Sequence, residues 1–108
     1  MNVALIGSGS WGTAVAGLAA ARAERVTMWA HSDQTAAGIN GEHRNPRYLV
    51  GYELPDNVVA TTELAQALDG ADAIIFAVPS THLRDVCHHA APFIAADTPV
   101  LCQIGRAS

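Results

Sequence analysis

A glycine-rich segment near the start of the chain constrains the fold more than any other feature. Residues 7–12 read Gly-Ser-Gly-Ser-Trp-Gly, which fits the pattern G-x-G-x-x-G. The pattern alone is weak, because glycine-rich turns are common. Here an apolar run at residues 2–6 precedes it, and an amphipathic stretch from Ser10 to about Arg22 follows it. A buried strand, a glycine turn and a helix in this order begin a dinucleotide-binding βαβ unit.

Each glycine of the segment has its own task in such a turn. Gly7 permits the tight turn, Gly9 lets the backbone approach a pyrophosphate with no Cβ in the way, and Gly12 lets the helix pack closely on the sheet. The start of the helix offers free N–H groups and the positive end of its dipole to the phosphates. The alternative interpretation is a glycine turn that holds no ligand.

The rest of the chain continues to alternate strands with helices. Further apolar runs predict strands at residues 26–30, 58–60, 72–78 and 98–102. Helices are predicted with caps at Ser32, at Thr61 or Thr62, and at Ser80, ending near Asn40, Asp69 and Ala91. This order indicates an α/β fold with a Rossmann-like, doubly wound parallel sheet. Because the chain stops soon after the fifth strand, we expect the sheet to be truncated there.

Apolar spacing predicts which helix faces lie against the sheet. The predicted buried face of the first helix comprises Trp11, Ala14, Val15, Leu18 and Ala19. That of the last helix comprises Leu83, Val86, Cys87 and Ala90. On the opposite side of the last helix, His82, Asp85 and His89 share a face that could hold a metal ion. We interpret it as the solvent-exposed side, so no metal site is predicted.

A long segment from Glu42 to Asn57 has no clear period and contains Pro46, Gly51 and Pro55. We predict an ordered loop here. Loops of this length in compact domains usually carry function or cover something.

The tip of the second strand bears on the choice of cofactor. NAD sites often have an acidic residue there, which binds the ribose 2′-OH. Here the strand runs into His31, and Asp33 is interpreted as a first-turn residue favoured by the helix dipole. Without the acid a 2′-phosphate is not repelled, and His31, with Arg44 or Arg47, could favour it. We expect NAD or NADP, with NADP tolerated or preferred; otherwise His31 is an exposed loop end.

A second part of the site is predicted after the fourth strand. Ligands of open parallel sheets bind beyond the carboxyl ends of the strands, where the strand order reverses. Pro79 and Ser80 follow the fourth strand and would face the same crevice as Gly9. The Ser80 hydroxyl and nearby N–H groups are predicted to contact the ribose or nicotinamide, a role compatible with capping the helix.

Composition speaks against several partners. Ten acidic residues against six basic ones give a formal net charge of -4, which disfavours nucleic acid. No apolar run approaches the ~20 residues of a membrane span, and no signal peptide is visible. Cys87 and Cys102 fit no metal-binding spacing and are predicted to be buried, reduced thiols. A cytoplasmic protein without nucleic-acid or membrane partners is expected.

Several segments resemble one enzyme family. Residues 7–14, 26–31, 45–49, 54–57 and 77–80 are similar to bacterial NAD(P)-dependent glycerol-3-phosphate dehydrogenases. The glycine motif is shared by many dehydrogenases. Asn-Pro-Arg-Tyr-Leu, Leu-Pro-Asp-Asn and Val-Pro-Ser, in this order, are much more specific.

The resemblance implies a reversible hydride transfer between dihydroxyacetone phosphate with NAD(P)H and sn-glycerol 3-phosphate with NAD(P)+, which in bacteria feeds phospholipid synthesis. It implies that Ser10, Trp11 and His31 contact the cofactor. It also implies a helical C-terminal domain that carries the catalytic lysine and most substrate contacts, and it leaves a homodimer open. Residues 1–108 are then a partial N-terminal NAD(P)-binding domain, with the C-terminal domain absent.

One departure from the family concerns the end of the fifth strand. The family has a Lys-Gly pair there, whereas this chain reads Ile104-Gly105 and contains no lysine. Arg106 is a poor substitute for that lysine. We therefore predict no catalytic residue and expect the 108-residue chain to be inactive by itself.

Other functions remain open at this point. The chain could be a stand-alone or decayed nucleotide-binding module without catalysis. It could also belong to a 6-phosphogluconate or hydroxyacyl-CoA dehydrogenase, although the segment at residues 45–49 disfavours this. An S-adenosylmethionine methyltransferase would need an acidic residue at the tip of the second strand, which is missing.

Overall fold

The computed structural model describes residues 1–47 and 51–102, and these form a parallel sheet with helices on both faces. Its strands are β1 (Asn2–Ile6), β2 (Arg25–Trp29), β3 (Val58–Thr61), β4 (Ala73–Phe76) and β5 (Val100–Cys102). Its α-helices are α1 (Ser10–Ala20), α2 (Asp33–Glu42), α3 (Leu64–Leu68) and α4 (Ser80–Ala90), and a 3-10 turn, Ala91–Phe93, follows α4. The architecture confirms the Rossmann-like, doubly wound parallel sheet.

The order of the strands in space is β3-β2-β1-β4-β5, and every neighbouring pair is parallel. The chain moves outward from β1 to β3 and then returns to the other side of β1 with β4. The last residue of β1, Ile6, is in register with Trp29 of β2 and Phe76 of β4. The carboxyl ends of the central strands therefore meet at one edge, and the strand order reverses between β1 and β4.

Alternate residues of β1 face two separate hydrophobic cores. Val3 and Leu5 pack in the core that α1 and α2 cover. Ala4 and Ile6 pack in the core that α3 and α4 cover. Burial on both faces explains why β1 is a continuous apolar run without polar alternation.

The predicted buried face of α1 is confirmed only in part, because Val15 and Ala19 pack against the core but the buried residues of the helix are others. Its buried residues are Gly12, Thr13, Ala16 and Ala20. Trp11 and Leu18 are 51% and 75% exposed. Small side chains occupy the buried positions because they let the helix axis approach the strands, and Trp11 and Leu18 are left outside. The apolar face of α4 is confirmed, since Val86 and Ala90 are buried and Leu83 and Cys87 pack against the same core.

Helix α2 begins as predicted but ends later. Ser32 caps it, because the Thr35 N–H donates to Ser32 Oγ at 3.2 Å. The helix continues past Asn40 to Glu42, and His43, with a left-handed φ of 58°, is its C-cap. Asn40 does not end the helix because its side-chain amide pairs with the backbone of Ala60 in β3, at 2.9 and 2.8 Å.

Two other predicted helix caps are wrong. Ser80 is the first residue of α4; the cap position is Pro79, which makes no side-chain cap. The cap position of α3 is Glu63, whose N–H donates to Thr61 Oγ1 at 3.0 Å. Thr61 itself remains in β3.

The β5 edge of the sheet is exposed in the described part of the chain. Val100 and Leu101 are 46% and 52% exposed. They line an open, mainly apolar groove of about 470 Å³ beside β1 and β4. Cys102 is exposed for the same reason, so its predicted burial is wrong; Cys87 is half-buried, and neither forms a disulfide. None of the described helices has the length and apolar character needed to cross a membrane.

Candidate functional site

Gly7 occupies a position that other residues cannot adopt without strain. Its φ is 140°, and a Cβ at this position would run into the carbonyl group of Ala77. Ala77 lies this close because its N–H donates to the carbonyl oxygen of Ile6 at 2.8 Å, which continues the pairing of β4 with β1. The chain therefore turns sharply at the end of β1 against the neighbouring strand.

Gly12 lets α1 rest directly on this turn. A Cβ on Gly12 would lie 3.0 Å from the carbonyl oxygen of Gly7 and 3.1 Å from its carbonyl carbon. Since both neighbours are backbone atoms, they cannot move aside without moving the turn. The first turn of α1 is thereby held at the edge where β1 and β4 end.

Gly9 has no such structural reason to be glycine. Its backbone is extended, with φ -75° and ψ -171°, and a Cβ would meet nothing within 4 Å. The missing Cβ leaves open the space in front of α1, where Gly9 is the cap position without a side-chain cap. The first N–H groups of a helix have no partner within the helix, and they carry its positive dipole end. This arrangement is a cradle that fits the phosphates of a nucleotide.

The other predicted site residues lie along the same edge of the sheet. Ser10 and Trp11 are exposed in the first turn of α1, and Pro79 and Ser80 are exposed at the start of α4. His31 is exposed just beyond β2, with its ring centroid 4.5 Å from that of Trp29. The structure thus brings the glycine turn, the start of α4 and His31 to the ends of three adjacent strands.

Sequence reasoning missed one buried residue of this site, Asn45. It is fully buried, although it lies in the long loop after α2. Its Nδ2 donates to the carbonyl oxygen of Ser8 at 2.7 Å and to Thr13 Oγ1 at 2.9 Å. Its Oδ1 accepts a hydrogen bond from the Arg47 N–H at 2.9 Å. The hydrogen bonds of Asn45 therefore attach the loop to the glycine turn.

The same loop packs against two helices at positions where each helix has a glycine. A Cβ on Gly17 of α1 would collide with the phenol of Tyr52, and one on Gly38 of α2 would lie 2.7 Å from Cδ of Pro46. Leu54 is buried in the core under α1 and α2, and its N–H donates to the carbonyl oxygen of His43 at 2.7 Å. The glycines at positions 17 and 38, which lie within helices, were the signal in the sequence that the loop packs closely on these helices.

Arg44 and His43 of the loop each lie near an exposed carboxylate. Arg44 Nη2 lies 3.7 Å from Glu53 Oε1, and His43 Nε2 lies 3.6 Å from Asp56 Oδ1. Solvent-exposed pairs of this kind contribute little to stability. Arg44 is thus paired with Glu53. Arg47, two residues after the buried Asn45, is also exposed.

The polar face of α4 points to solvent. His82, Asp85 and His89 are exposed, and His89 Nδ1 lies 2.7 Å from the carbonyl oxygen of Asp85. Within residues 1–47 and 51–102, no group of three or more histidine, cysteine or acidic side chains is arranged to hold a metal ion. Tyr48 and Leu49 of the Asn-Pro-Arg-Tyr-Leu segment, and Ile104, Gly105 and Arg106, lie outside the described residues.

Comparison with known proteins identifies the family to which the chain belongs. A family model for the N-terminus of NAD-dependent glycerol-3-phosphate dehydrogenase matches residues 2–104. The glycerol-3-phosphate dehydrogenase (NAD(P)+) of Anaeromyxobacter sp. strain K is 41% identical over 102 residues, which are 94% of this chain and 31% of that protein. The chain thus spans about a third of the length of such relatives.

Solved structures agree with the sequence comparisons. The glycerol-3-phosphate dehydrogenase of Saccharomyces cerevisiae superposes with a TM-score of 0.91 at 29% identity, covering 96% of this chain and 33% of that one. The glycerol-3-phosphate dehydrogenase of Coxiella burnetii gives a TM-score of 0.86 at 31% identity, covering 99% of this chain and 32% of that one.

Proposed function

The chain belongs to the NAD-dependent glycerol-3-phosphate dehydrogenase family, whose N-terminal part it matches, and on this basis we propose that it binds NAD or NADP. We further propose that it is the cofactor-binding part of an enzyme that interconverts dihydroxyacetone phosphate and sn-glycerol 3-phosphate. When bound, the nicotinamide supplies or accepts the hydride.

The observation that carries this proposal is the open space at Gly9. Gly7 and Gly12 are required by contacts within the fold, but nothing within 4 Å requires glycine at position 9. A Cβ there would extend into the space in front of the first turn of α1. No contact within the fold requires glycine at position 9, yet glycine stands there, in front of the free N–H groups of a helix. A pyrophosphate that approaches the backbone closely requires a glycine at such a position.

Each predicted site residue has a place in this proposal. The N–H groups of Ser10 and Trp11 would bind the phosphates at the start of α1. Pro79 and Ser80, at the neighbouring strand end, would border the ribose and nicotinamide, and the exposed Ser80 hydroxyl is able to donate a hydrogen bond there.

A preference for NADP is also part of the proposal. His31 is exposed at the end of β2, and Asp33 lies beyond it in the first turn of α2, so no carboxylate stands at the tip of the strand. A ribose 2′-phosphate would therefore meet the His31 ring, and the exposed Arg47 offers a cation. The groups that protonate the substrate and bind its phosphate are proposed to lie in the part of the longer relatives that this chain does not span.

The proposal is tested by calorimetric titration of the chain with NADPH and NADH, alongside a turnover assay with dihydroxyacetone phosphate. We expect binding, tighter for NADPH, with no turnover by these 108 residues alone. Gly9→Asp should abolish binding without unfolding the chain, because its carboxylate would occupy the place of the pyrophosphate. Binding of NADPH by Gly9→Asp with unchanged affinity would overturn the assignment of the glycine turn.

A further inference from the structure

Asn45 is held in one orientation by its partners. The Ser8 carbonyl oxygen can only accept a hydrogen bond, so the atom 2.7 Å from it must be the amide nitrogen of Asn45. The Arg47 N–H can only donate, so the atom 2.9 Å from it must be the amide oxygen. The side chain is fully buried, and this pairing leaves no freedom to flip it.

The contact with Ser8 sets the direction of the next N–H group. The peptide bond between Ser8 and Gly9 is planar and trans, so its C=O and N–H point in opposite directions. The C=O points inward to the Asn45 amide. The N–H of Gly9 must consequently point away from the loop that carries Asn45, to the open side of the glycine turn.

The contact with Thr13 extends this control to α1. Thr13 is fully buried; its Oγ1 accepts from Asn45, and its N–H donates to the carbonyl oxygen of Gly9 at 2.9 Å. These hydrogen bonds and the Ser8–Gly9 peptide bond thus link Ser8, Gly9, Thr13 and Asn45 to one another, and we call this set the Asn45 clasp. The clasp fixes the glycine turn and the first turn of the helix as one unit.

We propose that Asn45 is a positioning residue for cofactor binding, which aims the Gly9 N–H and the start of α1 at the pyrophosphate of the dinucleotide. This inference rests on the proposed function. Asn45 does not touch the ligand in this scheme; it acts through the peptide group that does.

Two substitutions at position 45 test the scheme. Asn45→Ala removes the donor to Ser8, and Asn45→Asp keeps the shape but sets a carboxylate oxygen against the Ser8 carbonyl oxygen. We expect the Kd for NADPH to rise about tenfold with alanine, the scale of losing one or two hydrogen bonds, and further with aspartate. The amide resonances of Gly9 and Ser10 should also shift in the ligand-free protein.

The matched control is Asn57→Ala. Asn57 donates from Nδ2 to the carbonyl oxygens of Ala20 and Ala23, at 2.8 and 2.9 Å, and so binds the opposite end of α1 with the same kind of contact. The Asn57→Ala variant should lower the melting temperature as Asn45→Ala does. It should leave the Kd for NADPH and the amide resonance of Gly9 unchanged.

A milder pair of variants covers the case in which Asn45→Ala does not fold. Thr13→Val loses the acceptor of the clasp while keeping the shape, and Thr13→Ser keeps the acceptor. We expect Thr13→Ser to bind NADPH more tightly than Thr13→Val.

The outcomes separate the two proposals. Equal affinity of Asn45→Ala and the unaltered chain, equal affinity of the two Thr13 variants, or an equal loss in Asn57→Ala would each overturn the positioning role alone. Failure of the unaltered chain to bind NADPH would overturn the proposed function and the positioning role with it.

Discussion

Gly38 of α2 and Pro46 of the following loop lie so close together that a Cβ on Gly38 would be 2.7 Å from Cδ of Pro46. The same Cβ would be 3.0 Å from the carbonyl oxygen of Arg44. These two contacts flank Asn45, which binds the glycine turn. The packing on Gly38 therefore helps to determine where the Asn45 clasp forms.

Gly38→Ala should destabilise the fold and weaken cofactor binding, although Gly38 is not at the glycine turn. A proline ring and a backbone carbonyl cannot rotate away from the new methyl group, so the loop must shift, at a cost of about 1–3 kcal/mol. Gly41→Ala in the same helix is the control, because a Cβ there meets nothing within 4 Å. It should raise the free energy of unfolding by up to about 1 kcal/mol. Urea denaturation of both variants, giving equal midpoints, would contradict the docking of the loop on Gly38.

Alanine at Gly7 and at Gly9 should have opposite consequences. Gly7→Ala should destabilise the chain by about 1–3 kcal/mol or more, since φ is 140° and the methyl group would collide with Ala77. Gly9→Ala should leave the free energy of unfolding the same or slightly higher, because its φ of -75° suits any residue. Its NADPH affinity should nevertheless fall. Thermal melts and calorimetry on both variants check this; a destabilised Gly9→Ala would show that position 9 serves the fold.

The strands and the doubly wound architecture were predictable because local signals suffice for them. A parallel sheet buries both faces, so β1 and β4 are continuous apolar runs. The glycine turn follows β1 directly, and Pro79 follows β4 after Ala77 and Val78. Because strands alternate with helices along the chain, only a few arrangements of the strands in a parallel sheet were possible. The edge that carries the glycine turn, His31 and Ser80 followed directly from that topology.

The predictions that were wrong depend on contacts between distant segments. The apolar period of α1 placed Trp11 and Leu18 inside, but the buried positions of the helix hold only small residues. Asn45 joins Ser8 across 37 positions, and a polar residue in an aperiodic loop gives no local sign of burial. The end of α2 was missed for the same reason, since Asn40 pairs with β3.

Two leucines in the sheet should differ sharply in their contribution to stability. Leu5 of β1 is fully buried, whereas Leu101 of β5 is 52% exposed. Leu5→Ala should cost about 2–5 kcal/mol through lost burial and the cavity left behind. Leu101→Ala should cost much less, because much of its surface is already in water. Chemical denaturation measures both; similar losses would mean that the β5 edge is covered in solution.

The two cysteines should react with alkylating reagents at different rates. Burial raises the pKa of the Cys87 thiol above its ordinary value, and the nearby Cys102 adds to the effect. Cys102 is exposed and Cys87 is half-buried, so Cys102 should be alkylated first at neutral pH. Because the thiolate is the reactive form, the rate at Cys87 should keep rising at higher pH. Because the pKa is raised in the folded state, this group's contribution to stability is present below the unfolded-state pKa. It is lost as the pH rises through the folded-state pKa.

Cys102→Ser should lower the Cys87 pKa only in part, since burial is the larger cause. Mass spectrometry of peptides after timed alkylation across alkaline pH measures both rates. A rate at Cys87 that stops rising at the pKa of an ordinary thiol would refute the packing of Cys87 against the core under α4.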